Sequence, residues 1–403
     1  MARAMIYTLE PLEHGGVMAK VRVAAELLRA HGHSVELLFT ATEQVPVGGV
    51  GEKLRYFARH PLPYYAEYQG FPCQAVPHYP LPIWLTYALP TVLARGSFIS
   101  HDIHLVISGA NHCGLPAALT RRRYLVWIGT LYDDELLGKA LNGDRWAAAM
   151  RRGLPAEILR REEQMVFARA ARVLSNGQHT ADRIAQVYPH LTTPVETMIY
   201  PVDTDLFVPT DAPHDDSGPR YLLFTARIND VRKNVGLLFR TLARLHTQHP
   251  DLRLVVTGDA PDARVQAALV EAGVGGAVDF VGRQTVEQLV VLYQGAAAFV
   301  LPSNQEGLGI SMLEAMACGL PVVSTRCGGP ESVIRDGETG FLTPLDDEIA
   351  LAERIGQLLN NRGLRDTMGR AAARAARQHF SRAVIRDRLL AAFAHVYPHN
   401  FPH

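Results

Sequence analysis

The sequence predicts an α/β protein built from two Rossmann-like domains, each with a parallel sheet. A β-α-β unit opens the chain, with a strand at 4–8, a helix at 17–31 and a strand at 34–39. Strands and helices alternate again from 221 to 294, and such alternation is typical of a parallel sheet. Between these halves, residues 201–219 are rich in Pro and Asp and show no periodicity, which indicates a linker.

The bulk composition is that of an ordinary globular protein. The length of 403 residues suits two to three domains, and 48% of the residues are hydrophobic while 20% are charged. Basic and acidic residues number 40 each, so no overall positive field favours nucleic acid as a partner. We therefore expect no nucleic-acid binding.

Several features bear on cellular location. The four cysteines are scattered without paired spacing, which is typical of buried thiols in a reducing compartment. The first strand begins almost at once, which leaves no room for a signal peptide, and no apolar run approaches the ~20 residues needed to span a bilayer. We expect a cytoplasmic protein. Arginines between 151 and 161 alternate with acids as on a solvated helix, but they leave peripheral membrane contact open.

The first turn of the chain carries adjacent glycines, Gly15 and Gly16. Such a pair is either a loop that approaches phosphate or a simple tight turn. The GxGxxG pattern is missing, which argues against dinucleotide binding. From 60 to 90 the chain is rich in Pro and Tyr, and we predict irregular backbone with one helix near 83–95. These aromatic residues either form an acceptor surface or pack a long connection onto the domain.

Two candidate acceptor-side residues follow the predicted central strands 102–108 and 124–128. His112 and Trp127 lie at the carboxyl ends, where open α/β sheets place their ligands. A hydrogen-bonded core histidine is the alternative for His112. The run 133–135 is acidic and either binds a cation or caps or solvates a loop.

The most informative stretch surrounds Glu306 and Glu314. An apolar strand, 296–301, ends at Pro302, a polar loop follows, and a helix runs from about Gly309 to Cys318. The first amides of that helix form an anion site, and the two carboxylates lie more than a helical turn apart. Amides for phosphate together with carboxylates for hydroxyls describe a site for a sugar nucleotide. The alternative is a solvated helix face.

A second polar loop, 226–234, follows the strand 221–225. It contains Arg227 and Lys233, whose charges would stabilise a diphosphate leaving group more strongly in the transition state than before it. Arg232 is the less favoured partner. Exposed loop cations are the alternative.

At these residues the chain resembles family 4 of the retaining glycosyltransferases, which carry a Glu-x7-Glu signature. The resemblance rests on residues 220–344, including Glu306, Glu314 and the segment 315–323. It implies a GT-B architecture with two Rossmann-like domains facing across a cleft. The expected domains are 1–200 on the acceptor side, the linker 201–219, the nucleotide-sugar domain 220–381, and a C-terminal helix 382–403 that packs back on the first domain.

The resemblance also implies roles for individual residues. Glu314 would hold the ribose and Glu306 a hydroxyl of the transferred sugar, with Arg227 and Lys233 at the diphosphate. The remaining donor-binding positions would be Leu308, Gly309, Ile310, Ser311, Gly282, Arg283, Gly15 and Gly16. Asp203-Thr-Asp205 has the D-x-D pattern of metal-dependent enzymes, but here it matches the family's connecting segment, so neither a metal nor another cofactor is expected.

The expected function is transfer of a sugar from a UDP- or GDP-sugar to an acceptor, which could be a glycan, a lipid or a small molecule. Retention of anomeric configuration is implied by the resemblance alone. Two other classes stay open. A nucleotide-sugar epimerase of similar fold would turn over its donor without an acceptor. A non-catalytic nucleotide-sugar-binding protein is the other alternative, and it would lack Glu306 or Lys233.

Overall fold

The computed structural model describes residues 1–9, 16–41, 55, 58, 62–68, 70–77, 81–94, 96, 99–210 and 220–401. The chain divides into two compact units. The first comprises Met1–Ile199 together with Ile385–His403, and the second comprises Tyr200–Val384. Each unit has its own sheet with helices between the strands, so the predicted α/β class with parallel sheets is confirmed.

The first unit is organised around a sheet of eight described strands in the order β3-β4-β2-β1-β5-β6-β7-β8. All neighbours pair in parallel except β3 and β4, which are antiparallel. The strands are β1 Arg3–Tyr7, β2 Ser34–Ala41, β3 Tyr64–Tyr68, β4 Phe71–Pro77, β5 Ile103–Ser108, β6 Leu125–Ile128, β7 Arg172–Ser175 and β8 Val195–Thr197.

Helices cover the first sheet, because its central strands are apolar on both faces. Every residue of β5 and β6 is buried, as expected for parallel strands between two helical layers. The helices are α1 Gly16–Ala30, α2 Ile83–Ala88, α3 Pro90–Leu93, α4 Leu115–Leu119, α5 Tyr132–Leu141, α6 Arg145–Met150, α7 Gly153–Arg169 and α8 Gln178–Val187.

The region predicted as irregular backbone contains a strand pair. β3 and β4 form an antiparallel ladder, and β4 also pairs in parallel with β2. Proline lacks an amide donor, and for that reason irregular backbone was predicted here. In β4, however, the prolines are confined to the second and last positions, Pro72 and Pro77, so the residues between them keep their donors. The predicted helix at 83–95 is broken into α2 and α3 at Pro90.

The second unit is a regular parallel α/β unit. Its six described strands run in the order β11-β10-β9-β12-β13-β14. The strands are β9 Tyr221–Thr225, β10 Arg253–Thr257, β11 Val278–Gly282, β12 Ala298–Leu301, β13 Val322–Thr325 and β14 Gly340–Thr343. The helices are α9 Val235–Leu245, α10 Ala263–Ala272, α11 Val286–Gly295, α12 Ile310–Ala317, α13 Glu348–Asn360 and α14 Arg362–Ala375.

The end of the chain completes the core of the first unit. Helix α15, Arg382–Val396, contributes Ile385, Leu389 and Phe393 to the core that also contains β1, β2 and β5. The Tyr397 hydroxyl donates a hydrogen bond to the carbonyl of His104. Of the predicted linker, residues 201–210 belong to the second unit, and 211–219 lie outside the described residues.

No helix of the described ranges combines the length and apolar character required to cross a bilayer.

Candidate active site

The centre of the candidate site is an ion pair between Lys233 and Glu306. Lys233 follows β9 and Glu306 follows β12, and because these strands are parallel neighbours, their carboxyl ends lie at one edge of the sheet. Lys233 Nζ lies 2.5 Å from Glu306 Oε1, and the Ser303 hydroxyl donates to the same oxygen at 2.7 Å. Both side chains are largely buried. The pair therefore joins two loops and holds a carboxylate in a defined position.

Backbone contacts fix the Glu306 loop against a third strand end. The Glu306 amide donates to Cys327 O, and the Gly329 amide donates to Glu306 O, both at 2.9 Å. A Cβ on Gly329 would lie 2.3 Å from Leu308 Cα, so only glycine allows this approach. Leu308, a predicted donor-binding residue, is itself buried.

Asp230 pairs closely with Arg232, whereas the side chain of the nearby Arg227 is mostly exposed. Arg232 donates to both carboxylate oxygens of Asp230, with Nε–Oδ1 at 3.0 Å and Nη2–Oδ2 at 2.7 Å. Arg227 lies 3.7 Å from the same carboxylate, and 73% of its side chain is exposed. The guanidinium of Arg227 is thus the one turned toward solvent, where an anion can reach it.

The N-terminus of α12 offers backbone donors at the same edge. Gly309 precedes the helix with φ +85°, a left-handed conformation that favours glycine. No side chain caps this end, so the first amides, at Ile310 and Ser311, have no intrahelical acceptor. Such an end is a ready site for an anion such as a phosphate.

Glu314 lies one turn further into α12 and is only partly buried. The hydroxyl of Tyr293, from α11, donates to Glu314 Oε2 at 2.9 Å. Burial raises the pKa of Glu314 to about 7, although the hydrogen bond from Tyr293 lowers it. This carboxylate is oriented by its partner and poised to accept hydroxyl hydrogen bonds. Tyr293 was not predicted, since nothing in its spacing distinguishes it from an apolar helix residue.

Gly282 and Arg283 end β11, further along the same sheet. Gly282 has φ +74°, and its carbonyl accepts from the Gly258 amide at 3.0 Å. The guanidinium of Arg283 is exposed and pairs with Asp259 at 2.8 Å. The second-unit candidates thus lie at the end of β11, in loops that follow strands, or within α12, which begins at the carboxyl edge of the sheet, where open parallel sheets bind ligands.

The predicted candidates of the first unit differ among themselves. Gly16 is the first residue of α1, and Gly15 lies outside the described residues. His112 is buried, its Nε2 lies 2.8 Å from Leu159 O, and burial lowers its pKa to about 4. Trp127 is buried and donates from its indole N–H to Met198 O at 3.0 Å. Both side chains are core residues. For His112, this favours the alternative of a hydrogen-bonded core histidine over an acceptor contact.

The acidic candidates for cation binding are engaged in other contacts. Asp133 and Asp134 lie in the first turn of α5 and pair with Arg151 at 2.9 Å and Arg183 at 3.0 Å, respectively. Asp203 accepts from two following amides and pairs with Arg382 at 2.9 Å. Within the described ranges, no three His, Cys, Asp or Glu side chains are grouped so as to hold a metal ion.

Comparison with known sequences matches the part of the chain that carries this site. Residues 211–375 match the family model described as Glycosyl transferases group 1. A D-inositol 3-phosphate glycosyltransferase of Kribbella flavida is 33% identical over 256 residues, which is 59% of this chain and 59% of that protein. A protein of the same name from a Mycobacterium species is 34% identical over 49% of this chain and 47% of its own length. The chain therefore spans only about half the length of these relatives.

Solved structures match nearly the whole chain at low sequence identity. Sucrose-phosphate synthase from Thermosynechococcus elongatus has a TM-score of 0.75 and 20% identity, covering 98% of this chain and 99% of its own. Anabaena Alr3699/HepE in complex with UDP and glucose has a TM-score of 0.71 and 16% identity, covering 98% and 100%. The chain has the fold of the GT-B glycosyltransferases, and its second unit carries the match to the group 1 family.

Proposed function

We propose that this protein is a glycosyltransferase that moves a sugar from a nucleoside diphosphate sugar to an acceptor. The observation that carries the proposal is the Lys233–Glu306 pair, 2.5 Å apart, at the sheet edge that also bears Arg227 and the uncapped start of α12. Cationic groups, open amides and carboxylates on one edge suit a ligand that combines a diphosphate with sugar hydroxyls.

The cations act on the leaving group. As the glycosidic bond breaks, negative charge accumulates on the diphosphate, and fixed positive groups stabilise that state more than the ground state. A lysine ammonium has three donors, so Lys233 can keep its bond to Glu306 and still donate to phosphate oxygens. Arg227 and the amides of Ile310 and Ser311 would provide the remaining contacts.

The two carboxylates would serve different ends of the donor. Glu314, held by Tyr293, would accept from the ribose hydroxyls, and Glu306 would accept from a hydroxyl of the transferred sugar. Gly282 and Arg283 would lie beside the base. Within this proposal, membership of family 4 rests on the resemblance at residues 220–344, and retention of configuration follows only from that membership. UDP-sugars are the first donors to test, because the fold neighbour from Anabaena was solved with UDP and glucose.

The acceptor stays a prediction, as do a cytoplasmic location, contact with a membrane surface and independence from metal. All four cysteines are buried and free, which supports a reducing compartment.

The deciding experiment is a donor screen followed by a test of acceptor dependence. A nucleotide sugar that binds the folded state raises the melting temperature by mass action. The donor identified in this way is then incubated with and without candidate acceptors. We expect release of the nucleoside diphosphate that depends on acceptor. Conversion of the donor to another sugar nucleotide without acceptor would indicate an epimerase, and binding without turnover for any acceptor would indicate a binding protein.

A further inference from the structure

A buried lysine in the first unit has no role in the site described above. Lys20 lies on the apolar face of α1, and only 3% of the residue is exposed. Its Nζ lies 5.3 Å from the centre of the Trp127 ring, a distance that suits a cation–π contact. Lys20 is four residues after Gly16 and so lies on the same face of the helix.

Lys20 has no negative partner among the described residues. Within the described ranges no ion pair or hydrogen bond to its amine is found, and burial lowers its pKa to about 7. A buried ammonium without a counter-ion is strongly unfavourable, and the face of an aromatic ring compensates for only part of that loss. The missing charge is therefore one that a ligand can supply.

The surroundings of the amine form a small polar site. A Cβ on Gly129 would lie 3.8 Å from Lys20 Nζ and 3.4 Å from Asn176 Nδ2, so two donors converge above a residue that has no side chain. Asn176 is buried, and its Oδ1 has no hydrogen-bond partner. Gly129 follows β6 and Asn176 follows β7, so both lie at the carboxyl edge of the first sheet. We call Lys20, Gly129 and Asn176 the Lys20 site.

We propose that the Lys20 site binds an oxyanion of the phosphate type and that, resting on the proposed transfer reaction, this group belongs to the acceptor. The ammonium of Lys20 and the amide of Asn176 would donate to the oxygens, and Gly129 leaves the space that they occupy. Binding would place the positive charge of Lys20 beside a negative one and so remove the unfavourable burial of an unpaired cation.

The small number of lysines permits a direct test by nuclear magnetic resonance. The sequence contains lysine only at positions 20, 53, 139 and 233. Labelling the lysine side chains with ¹³C and ¹⁵N gives four resolvable groups, and Lys20→Met assigns one of them to Lys20. We expect the Lys20 signal to titrate near pH 7 without phosphate. Saturating inorganic phosphate should raise that midpoint by about 1–3 pH units, since an opposite charge at close range stabilises the charged form. Lys139, an ordinary helix residue of the same unit, is the internal control.

Four results would overturn the proposal. The midpoint could stay unchanged in phosphate, or shift equally in sodium chloride of the same ionic strength, which means an adventitious ion only. The signal could titrate near pH 10 without added anion, which means that the protein already supplies a partner. UDP, but not phosphate, could move the Lys20 signal, which would assign the anion to the donor instead.

The same spectrum separates this proposal from the proposed function. UDP should move the signal of Lys233 and leave that of Lys20 unchanged. If UDP moved neither signal while phosphate still raised the midpoint of Lys20, the anion site would stand and the donor assignment at Lys233 would fail. If UDP moved Lys233 and phosphate left Lys20 unchanged, the Lys20 site would fail alone.

Discussion

The two units place polar groups at the carboxyl edges of their sheets in contrasting ways. In the second unit the buried cation has its anion within the protein, because Lys233 pairs with Glu306 and Arg232 pairs with Asp230. In the first unit Lys20 is buried beside Trp127 and Gly129 without a counter-charge in the described residues. A site whose buried charges are paired within the protein needs no ligand to balance them, and its residues stand in loops where the sequence reveals them. A buried ammonium without a partner among the described residues indicates a ligand, because its positive charge still needs a negative one.

The largest effect should come from removing the cation of the paired site. Lys233→Ala should lower kcat/KM by about a hundredfold, because a charge-assisted contact of roughly 1.5–3 kcal/mol is lost. Arg227→Ala should have the smaller effect of about tenfold, because 73% of that side chain is exposed and solvent screens its charge. Steady-state kinetics with the identified donor give both values.

The exposed residue Arg374 provides the matched control, since Arg374→Ala removes a helix charge from α14. It should leave kcat/KM within about twofold of the wild type. Lys233→Arg keeps the charge and should recover part of the activity. Near wild-type kinetics for both Lys233→Ala and Arg227→Ala would show that the diphosphate binds elsewhere.

Substitution of Glu314 and of Glu306 should have different effects on diphosphate affinity and on kcat. Glu314→Gln should weaken donor and free nucleoside diphosphate alike, by about ten- to a hundredfold, because the proposed ribose contact would exist before and during the reaction. Glu306→Gln should lower kcat with little change in diphosphate affinity, because the proposed contact of Glu306 is with the transferred sugar. Calorimetry with the diphosphate, beside kinetics with the full donor, distinguishes these patterns. Equal losses of diphosphate affinity in both variants would mean that the roles are wrongly assigned.

The raised pKa of Glu314 adds a pH signature to that comparison. The carboxylate form, which accepts from hydroxyls, predominates above about pH 7 and is lost as the pH falls through that value. Diphosphate affinity should therefore decrease below pH 7 more steeply in the wild type than in Glu314→Gln. Subtracting the two curves removes the titration of the ligand itself. Parallel curves would show that the charge of Glu314 is not used in binding.

The Lys20 site should affect how the free energy of unfolding of the first unit depends on pH. The folded-state pKa of Lys20, about 7, is below its unfolded value of about 10.5, so the unfolded chain binds more protons between these values and wild-type stability rises with pH there. Lys20→Met should therefore be more stable than the wild type by a few kcal/mol at and below pH 7. The difference should shrink toward zero near pH 10.

Tryptophan fluorescence in urea provides the measurement. All three tryptophans (Trp84, Trp127 and Trp146) lie in the first unit, so their signal follows the unfolding of that unit. Lys139→Met is the control and should change stability little at any pH. A Lys20→Met variant less stable than the wild type at pH 7 would indicate that the amine supports the fold and would remove the contrast between the two units.

The smallest expected effect is that of a chelator. Arg227, Lys233 and the start of α12 already bring positive charge to the proposed diphosphate site, so EDTA should leave turnover within about twofold. Complete loss of activity in EDTA, restored by magnesium or manganese, would show that the second unit needs a charge that its own residues do not supply.

The second unit was predicted more fully from the sequence than the first. Its predicted strands lie within one or two residues of β9 to β12, because local alternation and buried apolar runs determine them. In the first unit β3 and β4 were missed. The parallel pairing of β4 with β2 joins residues distant in sequence, such as Leu37 and Cys73, and it outweighs the local effect of Pro72 and Pro77. Residue pattern alone did not contain that information.

The candidate sites differ in the same way, because the site of the second unit was predicted from the sequence and the Lys20 site was not. Glu306, Arg227 and Lys233 follow strands, where a charged residue is conspicuous in the sequence, and Glu314 lies within α12 at the signature spacing from Glu306. Lys20 sits on the buried face of an amphipathic helix, where one polar residue among apolar ones was the available signal. Whether that residue has a partner depends on β6 and β7, more than a hundred residues away, and only the structure provides this information.

The C-terminal segment has a consequence for synthesis on the ribosome. Ile385, Leu389, Phe393 and Phe401 belong, with Ala392, Val396 and Tyr397, to a core cluster of the first unit whose remaining buried members lie before residue 200. During translation the core of the first unit therefore stays incomplete until the second unit has been synthesised. The second unit can fold before that core is complete. The part of the protein that is made first is the last to be completed. A stop codon in place of Ile385 should thus unfold the first unit while leaving the Tyr200–Val384 unit folded.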